Sequence, residues 1–583
     1  MIRKSRSASS ESAIFFALAA GLLLTATIVS GGAERFRLAK EVVFRGEAIV
    51  LVALFAFWAT SANRTWKFTW RKEYLLALAI VAWAAITTLT STNRVLSIDP
   101  LITVVAAAII FFASSLAARP RLLDVVMAAC GINAVAVILQ EAKLWVPFPP
   151  APGQGTHYSS VGLLGNANDV GTYLAAPAVV AVAVAVTSAG KRRWIYAAIA
   201  LLLAGGIIAS ATRTAVVAMV AGLVVFGLVH SRRAAVIVLA ALVIFAFVVL
   251  SPATTLGREM RDLGHAAVNR DLQTLFSERL VPFLTAIDMT RDHPLIGVGP
   301  GCFKYHYMPY RVALFGRYPD AWTKGYPMNW GEVHNDHLQV AAETGLPGYA
   351  LFLAAIALCA GRKKSAFRWP LAAVIFVLTL AQFPLELAAP RLVLLTLGAL
   401  ALDESSVLGP RSSVVVRDRG LRTEDRGLAT VIRVAAIAFA AFAGYFLCVL
   451  PYRANIALAT ITQRTLNAQN VDPISAAPVA RANLHDLAAI STPEKLNPTW
   501  YLLYGTNCEI LGSKAEAAGI YSRALEIDQR PEIYFNRAMV RLQLGRIDDA
   551  VNDLATAARF NPFVLYELSG DLRDRVEKAS RVR

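Results

Sequence analysis

Runs of about twenty apolar residues recur from Ile14 to Leu450, and no other feature restricts the fold of this chain as strongly. As a helix rising about 1.5 Å per residue, each run is long enough to cross a hydrocarbon layer about 30 Å thick. Inside such a layer backbone N–H and C=O groups find no water, so they must pair within the segment, and helices satisfy them all. About thirteen spans follow, near 13–31, 47–62, 74–93, 99–118, 121–141, 170–188, 193–209, 213–230, 233–251, 345–361, 368–385, 388–402 and 430–450. The expected fold is all-α: a polytopic membrane helical bundle of about 12–13 spans, a large external loop and a soluble α-helical repeat tail. With 56% hydrophobic and 17% charged residues, the composition is not that of an ordinary soluble domain.

A net charge of +17 would suit a nucleic-acid partner if the charge were gathered on one surface. Instead the basic residues collect in alternate loops, as the bias toward cytoplasmic Lys and Arg requires. Such loops carry Arg3, Lys4 and Arg6, then Arg64, Lys67, Arg71 and Lys72, then Arg119 and Arg121, then Lys191 to Arg193, then Arg232 and Arg233. Later ones carry Arg362 to Lys364 with Arg368, and Arg411, Arg417, Arg419, Arg422 and Arg426. This places the N-terminus in the cytoplasm and both the 252–336 loop and the tail after Leu450 outside. Nucleic acid is excluded as a partner. The first span has a basic flank but no small-residue cleavage site, and reads as a retained anchor. The spacing of the five cysteines demands no bridge.

Four parts are expected: residues 1–251 with nine spans, 252–336 as a periplasmic loop with catalytic elements, 337–450 with four spans, and 451–583 as a periplasmic helical domain. Within the last, Tyr501, Gly505, Gly512, Ala517 and Ala524 recur 33 residues later as Tyr534, Ala538, Gly545, Ala550 and Ala557. Small residues at these places let paired helices pack closely. The period resembles that of tetratricopeptide repeats, which implies a stack of helix pairs and a possible protein partner. The plain alternative is a helical hairpin that caps the protein.

The polar residues at the outer ends of the spans are the candidates for chemistry. Arg213 lies in the short turn Ser210-Ala211-Thr212-Arg213-Thr214. An arginine on the outer face runs against the positive-inside bias, so an anionic partner is expected there, although an interfacial anchor is the plain alternative. A diphosphate fits, because a guanidinium pairs with phosphate oxygens in a fork. Arg279 follows Ser277-Glu278 in the long loop, and a tight Gly297-Val298-Gly299-Pro300-Gly301 turn comes after it. His334 opens His334-Asn335-Asp336-His337; an imidazole accepts a proton near neutrality. His337 shares its face if the segment is helical. A zinc pair is the competing reading, but the spacing is not H-E-x-x-H and no third ligand is evident. Asn335, His337, Asn166 and Asn168 are candidate substrate contacts. For the Gly165-Asn166-Ala167-Asn168 segment, helix capping is the plain alternative. No Walker loop indicates ATP, and no Asp-Asp-x-x-Asp cluster indicates a Mg²⁺-held diphosphate. No metal and no cofactor are expected.

Together these elements resemble the O-antigen ligase and O-antigen polymerase superfamily of bacterial envelope glycosyltransferases. The resemblance rests on His334-Asn335 followed by Gly345-x-x-Gly348. It rests also on Arg213 in its Ser-Ala-Thr-Arg turn, Arg279 ahead of the His293-to-Gly301 run, and the Gly-Asn-Ala-Asn segment, all in the family's order. It covers roughly 160–400. The resemblance implies a bacterial inner-membrane enzyme whose donor is a glycan on undecaprenyl diphosphate, with a lipid, glycan or protein as acceptor. It implies that Arg213 and Arg279 hold the diphosphate and that His334 takes the acceptor proton, in a metal-independent, inverting transfer. Pro347-Gly348-Tyr349 stands where ligases often have Gly-Thr, and both ligase and polymerase remain open. A transporter for lipid-linked sugars and an assembly scaffold are the readings from other classes.

Overall fold

The computed structural model describes residues 5–60, 71–117, 120–148, 160–251, 253–277, 279–315, 317, 329–361, 367–402 and 426–581. Several basic positions used for the topology argument, among them Arg64, Lys67, Arg119, Arg362 and Arg411, lie outside the described residues, as does Glu278. Among the described residues there are helices and no strands.

Each expected apolar stretch overlaps a helix, although several helices end short of it, at Thr27 rather than 31, Leu89 rather than 93 and Ala381 rather than 385. In chain order these are α1 (Ser5–Thr27), α2 (Arg37–Ala59), α3 (Lys72–Leu89), α4 (Arg94–Leu116), α5 (Pro120–Glu141), α6 (Ala167–Thr187), α7 (Gly190–Ala209), α8 (Arg213–His230) and α9 (Arg232–Val249). The loop that follows contains α10 (Thr255–Val268), α11 (Leu280–Asp292) and α12 (Phe303–Phe315). The bundle resumes with α13 (Asp336–Ala360), α14 (Arg368–Ala381), α15 (Ala388–Leu402) and α16 (Arg426–Gly444). Among the described residues, nine helices are long and apolar enough to cross a membrane, and the protein is a multi-pass membrane protein.

Two spans begin earlier than apolarity alone suggests. α2 starts at Arg37, ten residues before the expected 47, because charged Lys40, Glu41 and Arg45 turn toward protein partners rather than lipid. α13 starts at Asp336 instead of 345, with Asp336 and His337 buried in its first turn. α6 is the most enclosed helix, packed by α5, α7, α8, α14 and α15, and its small residues between Val170 and Ala185 let these neighbours approach.

α13 bends at Gly345, whose φ of 72° suits a residue without a Cβ. A Cβ there would lie 2.4 Å from the carbonyl of Leu295. The bend lets the glycine-rich turn lie against it: Val298 N–H donates to Ala342 O (2.9 Å) and Gly299 N–H to Glu343 O (3.0 Å). The Glu343 carboxylate accepts from the N–H groups of Gly301 and Phe303, fixing the start of α12. The turn therefore approaches backbone of the same chain.

α16 runs through a π-helical turn, Tyr445–Val449, directly into α17 (Leu450–Gln469). The tail then stacks α18 (Pro473–Ala489), α19 (Pro498–Ile510), α20 (Lys514–Ala524), α21 (Pro531–Gln543), α22 (Ile547–Phe560) and α23 (Gly570–Arg581) in sequence. It also packs on the external loop. Leu496, Tyr501, Tyr534 and Phe560 join one apolar cluster with Met289, Tyr307 and Trp330. Asn329 Nδ2 donates to Asp528 (2.8 Å), Asn93 Nδ2 to Glu526 O (2.7 Å), and Arg311 to Phe560 O (3.2 Å).

Candidate functional site

The ends of α2, α6, α8, α11 and α13 converge beside the external loop, and each end delivers a polar residue. Thr212 begins α8 and donates its hydroxyl to Ala167 O (2.9 Å), which ties the start of α8 to the start of α6. Arg213, the first residue of α8, then donates to Ser277 Oγ (2.6 Å) and faces Glu259 at 3.6 Å. Arg279 precedes α11 and donates to Ala381 O (2.8 Å), so the loop is pinned to the end of α14. Asp169 lies buried in the first turn of α6, in electrostatic contact with Arg37 and Arg279.

His334 stands in an extended link just before α13, at φ 59°, a left-handed conformation that side chains with a Cβ seldom adopt. Its ring is held edge-on between Trp330 (4.9 Å between centroids) and Phe383 (4.3 Å). Its Nδ1 is buried and has no hydrogen-bond partner among the described residues. Burial, then the nearby charges of Arg279 and Arg37, push the imidazole down to about 2. It is therefore neutral, with a free nitrogen lone pair, wherever a protein is folded near neutrality. Burial and the charge of Arg213 likewise bring Arg279 down to about 10, against the opposing pull of Asp169.

The structure thus brings Arg213, Arg279 and His334 into one electrostatic neighbourhood. It adds Arg37, which the sequence reading passed over. The Arg37 guanidinium lies over the Phe383 ring (5.4 Å) and donates to Glu332 (2.7 Å). The signal was present: under the topology expected from the sequence, Arg37 follows a span on the same side as Arg213 and breaks the same bias.

The other candidates sit differently. His337 does not share a face with His334, because the helix starts only at Asp336. It is buried, with Nε2 near Thr379 Oγ1 (2.9 Å), Nδ1 near Tyr349 Oη (3.2 Å), and Phe352 and Phe376 around the ring. Asn335 caps α13 by accepting from Leu338 N–H (3.0 Å) and donates to Leu380 O (2.6 Å). Asn166 caps α6 by accepting from Asn168 N–H (2.8 Å), with its side chain exposed. No group of three metal-ligating side chains is found among the described residues.

A cavity of about 710 Å³ opens next to this cluster, between α2, α3, α4, α13 and α15, with Arg37 and Asp169 on its wall. The arrangement is suited to anion binding by arginines, beside a neutral base that has no partner of its own.

Residues 198–353 match a family described as O-antigen ligase, a segment that contains Arg213, Arg279 and His334. No curated protein matches the chain.

Proposed function

We propose that this member of the O-antigen ligase superfamily moves a glycan from undecaprenyl diphosphate to an acceptor hydroxyl at the outer face of the bacterial inner membrane. The observation that carries this reading is the unpartnered Nδ1 of His334 beside Arg37, Arg213 and Arg279. The arginines bind the diphosphate and stabilise the charge that grows on it as the sugar leaves. The acceptor oxygen attacks the anomeric carbon and its proton passes to His334. The bond from that carbon to the diphosphate oxygen breaks, and its electron pair leaves with the diphosphate. Attack opposite the leaving group inverts the anomeric centre.

Charge adjusts the strength of this base. Burial, then the charges of Arg279 and Arg37, hold the empty imidazole neutral. A bound diphosphate offsets the charge contribution and leaves the burial contribution, so His334 becomes more basic when donor is present. Proton acceptance is thereby coupled to donor occupancy.

Two variants test the assignment. Arg213→Ala and His334→Ala each abolish transfer while protein level stays normal; near-wild-type activity in either one removes that residue from the mechanism. EDTA leaves transfer unchanged, and strong inhibition would require a metal. A deletion strain distinguishes acceptors: long polymer accumulating on the lipid carrier means ligase, whereas single repeat units without long chains mean polymerase. The topology that goes with this reading has the N-terminus cytoplasmic and the tail periplasmic.

A further inference from the structure

Arg213 meets its partners with one edge of the guanidinium. Nη2 donates to Ser277 Oγ (2.6 Å), and Nε faces the Glu259 carboxylate at 3.6 Å. Nε–H and the neighbouring Nη2–H run parallel, a fork that fits two oxygens of one phosphate. Among the described residues, a hydroxyl and a carboxylate therefore stand where phosphate oxygens would be held. The two contacts differ. Ser277 makes a short hydrogen bond, whereas 3.6 Å is beyond hydrogen-bond length and leaves an ion pair held by charge. The pair is also open to water: the Arg213 side chain is 26% exposed and that of Glu259 30%. Ion pairs in such surroundings are weak, so another anion can replace the carboxylate at little cost.

Glu259 is mounted to make that exchange without disturbing the rest of the site. It lies in the second turn of α10. Thr254 caps this helix by accepting from Gly257 N–H (2.9 Å), Thr255 donates to Glu141 at the end of α5 (3.1 Å), and Leu256 is buried in the bundle core. The backbone under Glu259 is thus fixed, and only its side chain has to swing toward water. The other two arginines are held in ways that resist exchange. Arg279 is bound to a backbone carbonyl, that of Ala381 (2.8 Å). Arg37 is hydrogen-bonded at 2.7 Å to Glu332, two residues before His334, so a moving Glu332 would carry the histidine segment with it.

The transfer step changes the charge that these groups meet. In the donor each phosphate of the diphosphate is bridged on both sides and carries one ionised oxygen. When the sugar leaves, the electron pair stays on the terminal phosphate, which gains a second ionisable oxygen with a pKa of about 6. Near neutrality the spent lipid diphosphate therefore carries more negative charge than the donor and is held more tightly by the same arginines. We propose that Glu259 drives its release: the carboxylate holds the Nε edge of Arg213 in the empty enzyme, yields it to the donor, and retakes it once transfer is complete. The proposal rests on the transfer reading given above. Competition for that edge weakens the hold on both diphosphates, and the kinetic consequence falls on the one held more tightly. Glu259 touches neither sugar nor acceptor; it acts through Arg213 as a positioning residue, and the exchange makes and breaks no covalent bond.

The test uses the full chain in lipid nanodiscs, with farnesyl diphosphate as a product-like probe that has a free terminal phosphate. Glu259→Gln keeps the shape of the side chain and removes its charge. It should bind farnesyl diphosphate about tenfold more tightly than the wild type, the scale of removing one like charge beside a partly exposed anion, and be inhibited by it at correspondingly lower concentration. In transfer assays the first turnover should run at the wild-type rate and later turnovers about fivefold more slowly, so that kcat and donor KM fall together. Glu259→Asp, which restores the charge, should recover part of the steady-state rate. In an Arg213→Ala background Glu259→Gln should add no affinity, because the edge it competes for is gone. Unchanged or weaker binding of farnesyl diphosphate by Glu259→Gln overturns the proposal. So does a first turnover slowed as much as the later ones, the result of a merely structural role, or a gain in affinity that survives the loss of Arg213. Failure of the transfer reading shows differently: His334→Ala would then transfer as well as the wild type, whereas the affinities of the Glu259 variants are read without any transfer.

Discussion

Asp528 is the residue through which the tail should govern the chemistry. It is 4% exposed, pairs with Arg530 and accepts from Asn329 Nδ2 at 2.8 Å. The next residue, Trp330, packs in the apolar cluster shared by loop and tail and meets the ring of His334. Asn329→Ala removes one bond between tail and loop and leaves the Asp528–Arg530 pair and the bond from Arg311 to Phe560 O in place. A hydrogen bond to a charged group contributes about 1.5–3 kcal/mol, and Arg530, about a third exposed, already shares the carboxylate. A loss of about 1.5–2 kcal/mol in docking is therefore expected, or about a 10- to 30-fold larger undocked population. Hydrogen exchange reads this directly. Amides in 329–335 should exchange faster by that factor, while those of α21 and α22, in the tail itself, keep their rates. The kcat for transfer should fall more than the donor KM rises, because the imidazole is misplaced while Arg213 and Arg279, which are held outside this segment, are not. Unchanged protection at 329–335, or protection lost equally through the tail, would refute the argument that this contact holds the histidine segment.

Arg37→Ala should lower kcat/KM about 100-fold, the scale of losing one preorganised contact to developing charge, and Arg37→Lys should recover only part because an ammonium lacks the guanidinium fork; steady-state transfer assays decide it. Gly345→Ala should destabilise the protein by about 2–4 kcal/mol, from a left-handed backbone and a Cβ pressed on the Leu295 carbonyl, seen as a lower thermal midpoint and less folded protein in the membrane. The pH profile of kcat/KM, which reports the free enzyme, should show no histidine limb between pH 5 and 8, since the empty-site imidazole takes up a proton only near pH 2. An acid limb near 6.5 would contradict the assignment of His334.

The bundle was legible because bilayer thickness imposes one length on every span, and apolar runs of that length are hard to miss. Span ends were not, because polarity does not say whether a charge faces water or protein. Lys40 donates to Ile28 O, and Glu41 and Arg45 bond each other, so α2 continues where hydropathy alone would stop it. Types and order of residues pointed to Arg213, Arg279 and His334, which carry charge or a lone pair where a membrane protein disfavours them, and the fold places these three near one another. His337, Asn335 and Asn166 have the same polarity but satisfy it locally, through an aromatic cage and two helix caps. What separates the two groups is partnership, which spacing in the chain does not encode. Arg37 shows the converse. It lies nearly three hundred residues from Glu332, its ion-pair partner, and the fold alone brings them to 2.7 Å. Yet the charge rule that flagged Arg213 applies to Arg37 without change. Next to Arg37 the helices α2, α3, α4, α13 and α15 meet around a cavity, a feature that only the fold assembles.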